Sequence, residues 1–420
     1  MAFLRRIWSR DKTEAPAACT ALDVGTEYAK ALVFEIDEMG HGFVRGVGRK
    51  RQGLAHMQSG TVADIAAVVD NCAVALQEAE EMAGFRPTQV VIGIAGELVK
   101  GFTTTVSNER KRPELPVSEA ELASLMEKCQ RDALHEAEQA ITWETGLPKV
   151  DVRLVHSAVV GASMDGYTLA NPVGFQGRHV KIAIFNAFAP LVHLGALQSV
   201  ASRLDLELLE VVAEPYAVAR VMGLDTVRQA GALFVDVGGG TTDVALVRQG
   251  GIEGTRMFAL GGRAFTKSIA DHLDLPFPRA EAIKVDYARG LPVEDADLVA
   301  NVVADDVAVW SAGVELVMEE LAAGDLLPSR LYLCGGGSRL PEIAAALVAE
   351  RFWRRLPFAR PPEVTVMSPS LAISLTDATG LLVDQQDVTP LGLAHQAIEL
   401  HVAEDPLDAA LRRVLRAMKV

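Results

Sequence analysis

Apolar residues in this chain fall in short runs that end on glycine and small polar residues. Leu233–Val247 reads LFVDVGGGTTDVALV: an apolar run ends at Asp236, glycines fill positions 238–240, Thr241, Thr242 and Asp243 follow, and the chain returns through Val244–Val247. The pattern predicts a β-hairpin with a glycine-rich tip. Ala21–Ile36 (ALDVGTEYAKALVFEI) repeats it: Asp23, Gly25 and Thr26 align with Asp236, Gly238 and Thr241. The two aspartates lie 213 positions apart, far beyond solenoid or propeller periods. Such spacing predicts two lobes, each offering one hairpin to a shared cleft. A third run, Leu331–Ser338 (LYLCGGGS), turns on glycines into a helical pattern over Leu340–Phe352.

Between the hairpins, Ile65, Val68, Val69, Cys72, Leu76 and Ala79 recur at helical spacing within Thr61–Ala83. Val90–Ala95 reads as a short buried strand, Glu97–Val106 as a strand and Asn108–Pro116 as an exposed loop. Ser118 and Glu121 form a capping-box pattern before a helix expected over Glu119–Glu138. Val152–Val160, Tyr167–Val173 and Arg178–Ala187 read as strand segments.

The two ends are amphipathic. After Pro406, Leu407, Leu411, Val414, Leu415 and Met418 fall within an arc of about 100° on a helix. Arg412, Arg413, Arg416 and Lys419 take the other side, and Asp408 suits the first turn. Two destinations are open to that face: an anionic membrane surface, which the basic side favours, or the protein's own core. Met1–Arg10 (MAFLRRIWSR) mixes Phe3, Leu4, Ile7 and Trp8 with three arginines. It reads either as a membrane contact or as a disordered start, with Asp11–Ala18 as a linker.

A length of 420 residues with 50% hydrophobic content allows several domains and a sizeable core. The net charge of −15 argues against nucleic acid as a general partner. Cys19, Cys72, Cys129 and Cys334 show no CxxC spacing and read as reduced core residues rather than disulfides or a zinc site. No run is long enough to span a bilayer, and Met1–Arg10 lacks the apolar stretch of a secretory signal.

The candidate chemistry is phosphate binding. Glycines let backbone N–H groups close on an anion, and an aspartate at a strand end holds Mg²⁺ through water. Asp23 and Asp236 fit that role; the plainer alternative is a turn residue capping backbone N–H groups. Backbone at Gly335–Ser338, a strand–turn–helix junction, suits a nucleotide's base or α-phosphate.

These three elements, in this order, resemble the actin/Hsp70/sugar-kinase ATPase superfamily. There they are phosphate-1 (Asp23–Lys30), phosphate-2 (Asp236–Asp243) and adenosine (Gly335–Ser338) motifs, with connect-1 at Ala213–Ala217 and connect-2 at Asp377–Leu381. Within the superfamily, Asn171-Pro172-Val173-Gly174 and the pair Phe258–Asp271 and Arg279–Lys284 resemble bacterial cell-division proteins of the FtsA family. Lys267 and Ala264-Phe265 depart from the usual pattern and mark a divergent member.

The resemblance implies an α/β, actin-like two-lobed ATPase fold of duplicated RNase H-like domains with an FtsA-type 1C insertion. It implies subdomain 1A at 17–95 and 175–204, 1C at 96–174, 2A at 205–264 and 331–392, and 2B at 265–330. Residues 1–16 and 393–420 would be the terminal segments. It implies ATP and Mg²⁺ as ligands, held by Asp23, Gly25, Thr26, Lys30, Asp236, Gly238, Gly239, Gly240, Thr241, Thr242, Glu281, Lys284, Gly335, Gly336, Gly337 and Ser338. Lys30 would reach the β/γ-phosphates as a point charge, and Glu281 and Lys284, one helical turn apart, would meet ribose or adenine. Glu214-Pro215 resembles connect-1 of MreB and Hsp70 relatives rather than FtsA-like chains, which often lack an acid there, and in that resemblance Glu214 would orient an attacking water; its plainer reading is a favourable first-turn helix residue. Filament formation, an FtsZ-like partner on about Phe265–Arg330 and a cytoplasmic, membrane-peripheral location follow from the same resemblance. The alternatives are a PilM-type pilus-assembly protein, a chaperone or reactivase ATPase, and a small-molecule kinase.

Overall fold

In a computed structural model of the chain, which describes residues 17–147, 149–223, 227, 230–402 and 406–418, both predicted hairpins form. The membrane reading of Met1–Arg10 and the cation Lys419 lie outside the described residues.

In chain order, β1 (Ala17–Val24), β2 (Tyr28–Ile36) and β3 (Gly42–Arg51) form a meander. A minor hairpin, β4 (Met57–Gln58) and β5 (Thr61–Val62), precedes α1 (Ile65–Ala83) and β6 (Gln89–Ile94). An inserted stretch follows with β7 (Lys100–Glu109), α2 (Glu119–Thr145), β8 (Val152–Met164), β9 (Tyr167–Thr168) and β10 (His179–Pro190). Then come α3 (Leu191–Arg203), β11 (Glu207–Ala213) and α4 (Glu214–Arg220). The second meander is β12 (Ala232–Val237), β13 (Thr242–Arg248) and β14 (Gly251–Phe258), followed by α5 (Gly262–Leu273), α6 (Phe277–Ala288) and α7 (Ala296–Ala322). The chain closes with β15 (Arg330–Cys334), α8 (Pro341–Val348), α9 (Glu350–Trp353), β16 (Glu363–Val366), β17 (Leu375–Asp377), α10 (Val388–His401) and α11 (Pro406–Met418).

The strands form two large sheets, ordered β11-β6-β1-β2-β3-β17 and β16-β15-β12-β13-β14-β7-β10-β8-β9. Each contains the same five-strand plan: an antiparallel meander whose first strand is flanked by two parallel strands, β6 and β11 or β15 and β16. The duplication read from two hairpins therefore extends through both lobes.

Packing follows the apolar pattern. Asp64 caps α1 by accepting from the Ala67 N–H at 3.1 Å. The helix lies so close to β3 that a Cβ at Gly48 would sit 1.8 Å from the Ala75 carbonyl oxygen. Along β12 the side chains alternate between cores, as a strand's period of two requires. Leu233, Val235 and Val237 join α5–α8, while Phe234 faces the first-lobe core and stacks on Tyr332. All four cysteines are free and buried.

Several expectations shift. The helix expected to stop near Glu138 runs to Thr145 and ends at Gly146, φ +64°. Ser118 accepts from the Glu121 N–H at 3.1 Å, but the Glu121 carboxylate turns away to Arg110, at 2.7 and 3.1 Å. Only two residues of Tyr167–Val173 pair as strand; Asn171 instead forms a turn, accepting from the Val173 N–H at 2.9 Å. Strand β10, which falls at 179–190 and was expected with the first lobe, pairs along its length with β7 and β8. Strand β17, expected with the second lobe, adds to β3 of the first sheet. Helix α10 spans the expected 392/393 boundary and packs on β1 and α4, with residues 388–398 buried.

The C-terminal helix forms as its spacing predicts, but its apolar face is turned inward. Leu407, Leu411 and Val414 are buried in a cluster with Leu122, Leu125, Met126 and Ile182, and Leu415 and Met418 pack against it. Arg413 and Arg416 remain exposed, while Arg412 is half-buried. Of the two destinations left open by the sequence, the described structure shows the protein's own core.

Candidate functional site

The two hairpin tips face each other across the cleft between the lobes. The backbone of Gly239 and Gly240 lies against Glu27 and Thr26 of the opposite hairpin. Strand register makes the pair near-equivalent: Asp23 stands across from Lys30, and Asp236 stands across from Asp243. The opposed pairs thus differ in charge, a lysine facing Asp23 in the first lobe and an aspartate facing Asp236 in the second. Lys30 Nζ donates to Asp23 Oδ2 at 3.0 Å and to the Gln386 carbonyl at 2.9 Å. Thr389 Oγ1 donates to Asp236 Oδ2 at 2.5 Å.

Gly335 follows β15 with φ +84°, where an L side chain is strained. A Cβ there would also meet Asp236 Oδ1 at 2.0 Å. The glycine therefore brings the third motif's backbone onto the second hairpin's acid.

The centre of the cleft is strongly acidic. Glu214, at the start of α4, is buried, and burial raises its pKa well above the usual carboxylate range, with Asp23, Asp243 and Asp236 adding to the effect. Burial likewise raises Asp236 and, further, Asp243, which also feels Asp236. Thr241 Oγ1 donates to Asp243 Oδ2 at 3.1 Å, while Asp243 Oδ1 is buried with no hydrogen-bond partner. Burial by itself would lower the Lys30 pKa, but the charge and hydrogen bond of Asp23 outweigh it and raise the pKa.

At the other end of the cleft, α5 and α6 bring Glu281 and Lys284 together. Lys284 Nζ lies 2.9 Å from Glu281 Oε2 and donates to the Gly262 carbonyl at 2.8 Å. The Thr266 hydroxyl also donates to Glu281. Burial acts to raise the Glu281 pKa, yet Lys284 and these hydrogen bonds hold it below the ordinary value. A clasp bridges the lobes: Arg263 of α5 pairs with Glu27 at 2.7 Å, and Arg51 pairs with the same carboxylate at 2.6 Å.

One cavity of about 310 Å³ is lined by Asp23, Gly25, Thr26, Lys30, Glu214, Asp236, Gly238, Gly239, Thr241, Glu281, Lys284 and Gly335–Gly337. Gly240, Thr242 and Ser338 were expected there and do not line it. Gly240 packs on Thr26. Thr242 is turned into the second lobe, donating to the Leu260 carbonyl and accepting from Trp310 Nε1. Ser338 donates to the Gly335 carbonyl at 2.6 Å and closes the turn. The cavity adds residues that were not singled out from the sequence: Asp243, Arg263, Gln386 and Thr389. Asp243 carried a readable signal, since it follows Asp236 by the same seven positions that separate Lys30 from Asp23.

Comparison with known proteins follows the same lines. The family model "Cell division protein FtsA" matches residues 233–375, and "MreB/Mbl protein" matches residues 178–284. Cell division protein FtsA of Pseudomonas aeruginosa is 26% identical over 353 residues, covering 79% of this chain and 80% of that protein. FtsA of Streptococcus pneumoniae is 25% identical over 386 residues, covering 87% of this chain and 80% of that protein. Among solved structures, a chain of a PilM–PilN type IV pilus biogenesis complex superposes with a TM-score of 0.62 at 18% identity, covering 91% of this chain and 98% of that one. MreB5 of Spiroplasma citri bound to ADP gives a TM-score of 0.50 at 16% identity, covering 92% and 97%. At those identities the structural likeness is one of fold, and the fold is actin-like.

Proposed function

As a divergent member of the FtsA family of actin-like cell-division proteins, this chain, we propose, binds ATP with Mg²⁺ between its lobes and assembles into filaments on an anionic membrane surface. There it ties an FtsZ-like division protein to the membrane. The observation that supports the nucleotide reading is the convergence of both hairpin tips and the Gly335–Gly337 turn on one cavity of about 310 Å³, a volume in the range of small-molecule sites. The solved MreB5 structures bound to ADP and AMPPNP share this fold.

In this reading the backbone N–H groups of the tips cradle the phosphates, and Lys30 supplies a fixed positive charge. Glu281, Lys284 and the Gly335–Gly337 backbone take the nucleoside end. The residues fit a hydrated divalent cation. No group of three His, Cys, Asp or Glu among the described residues is placed to ligate a metal directly. Asp23 and Asp236 would therefore act through its water shell, and the buried, unpartnered Asp243 Oδ1 offers a further acceptor. Mg²⁺ held there would supply positive charge against the negative charge of phosphoryl transfer. Glu214 accepts a hydrogen bond from the attacking water and so orients it.

Asp236→Ala is expected to abolish Mg²⁺-dependent ATP binding, read by titration calorimetry, while circular dichroism stays unchanged. Unaltered affinity would overturn the site. The partner and membrane readings rest on the family and on the basic amphipathic α11. The surface assigned to the FtsZ-like partner is 265–330, which comprises most of α5 with α6 and α7. A chain truncated after Glu404 should still bind ATP but fail to float with anionic vesicles.

A further inference from the structure

We propose that α11 is a latch with two mutually exclusive seats, the trough between α2 and β8 of its own chain and the membrane, and that the docked seat limits attachment. The proposal rests on the anchor reading above and concerns its regulation. Helix α11 packs against α2 and β8. Its residues Leu407, Leu411 and Val414 are 4%, 1% and 4% exposed. These are the residues a lipid surface would have to contact. One narrow apolar face cannot serve both partners, so every membrane-bound copy has left the trough.

Polar contacts outside the apolar face also hold the docked seat. The Val159 backbone N–H donates to Asp408 Oδ1 at 3.1 Å, beside the point where the pairing of β8 with β10 slips in register. The Asp408 charge also acts on Arg220 of α4. Near the other end of α11, Arg413 lies 3.9 Å from Glu119 in the first turn of α2. A short basic helix binds lipid only reversibly. The apparent affinity of a ligand for a protein falls by the fraction that is binding-competent. Weakening the docked seat raises the competent fraction, so where the docked form predominates a change of one hydrogen bond in the trough alters membrane attachment in proportion.

Two variants of the full chain separate the effects. Asp408→Asn and Asp408→Ala both remove the charge, and with it the attraction to Arg220. Only asparagine keeps an oxygen that accepts from the Val159 N–H. In flotation with phosphatidylglycerol–phosphatidylcholine vesicles, Asp408→Ala should bind roughly fivefold more tightly than Asp408→Asn, the factor associated with one intramolecular hydrogen bond. In hydrogen exchange of the wild-type chain, adding vesicles should speed exchange at Val159 and on α2 while α11 stays protected. Equal binding of the two variants, or undiminished Val159 protection in the vesicle-bound chain, overturns the latch and leaves the anchor standing. If neither the wild type nor either variant floats, the anchor reading falls and the latch falls with it.

Discussion

Lys30 and Asp243 occupy the same place in two copies of one hairpin, one a cation and the other an acid. Near Lys30 stand Asp23, Asp236, Asp387 and Glu214, and burial raises the pKa of Glu214, Asp236 and Asp243. A carboxyl whose folded pKa lies above its unfolded one contributes stability below the unfolded pKa and loses it as pH rises through the folded value. Glu214→Gln is therefore expected to raise the melting temperature of the nucleotide-free protein at pH 8. The gain should shrink as the pH is lowered through the raised Glu214 pKa, as thermal denaturation across that range would show. Glu214→Ala, which removes the acceptor altogether, should keep ATP binding and lose turnover, read by phosphate release. Gly335→Ala should cost on the order of 2–4 kcal/mol, read by urea denaturation, because its Cβ strikes Asp236 in a backbone region that L residues avoid. The aspartates, Lys30 and the glycines were legible because their chemistry is tied to fixed offsets from a strand end. Thr389 and Gln386 were not, since α10 and the turn before it reach the cleft only through tertiary packing.

Among the elements, the hairpins and helices α1 and α2 were legible because apolar periodicity marks them, although α2 runs on to Thr145 past its expected end. Strand β17 has three residues and offers no period to read. Helix α10 is buried nearly all round, so its pattern lacks the polar face that marks a helix boundary. For α11 the periodicity gave the apolar face correctly, but a hydrophobic arc does not say whether lipid or protein covers it. Leu411→Ala should loosen the docked helix, since removing a buried leucine side chain costs roughly 2–5 kcal/mol. Limited trypsin digestion should then cut faster at Arg412, Arg413 and Arg416, with the remaining fragments unchanged.

For the molecule as a whole, the repeat distance between hairpins foretold two lobes, and both sheets carry the same strand plan. Strand β10 follows the inserted stretch expected at 96–174 and serves both parts: it pairs with β7 and β8, while its Phe185, Ala187 and Ala189 join the first-lobe core. Removing residues 96–174 would strip β7 and β8 from β10 and leave α11 without its seat. Such a deletion should aggregate on size-exclusion chromatography rather than behave as a trimmed ATP-binding core. One seam in this sheet reaches further. Strand β7 leaves the first lobe by chain connection, yet it is hydrogen-bonded to β14 of the second through two residue pairs, Gly254 with Phe102 and Thr255 with Gly101. It is a beam resting on both sides of a hinge. Any change in the angle between the lobes must either break those two pairs or swing the inserted strands with β14, so the opening of the cleft is geared to the tilt of the surface on which α11 rests.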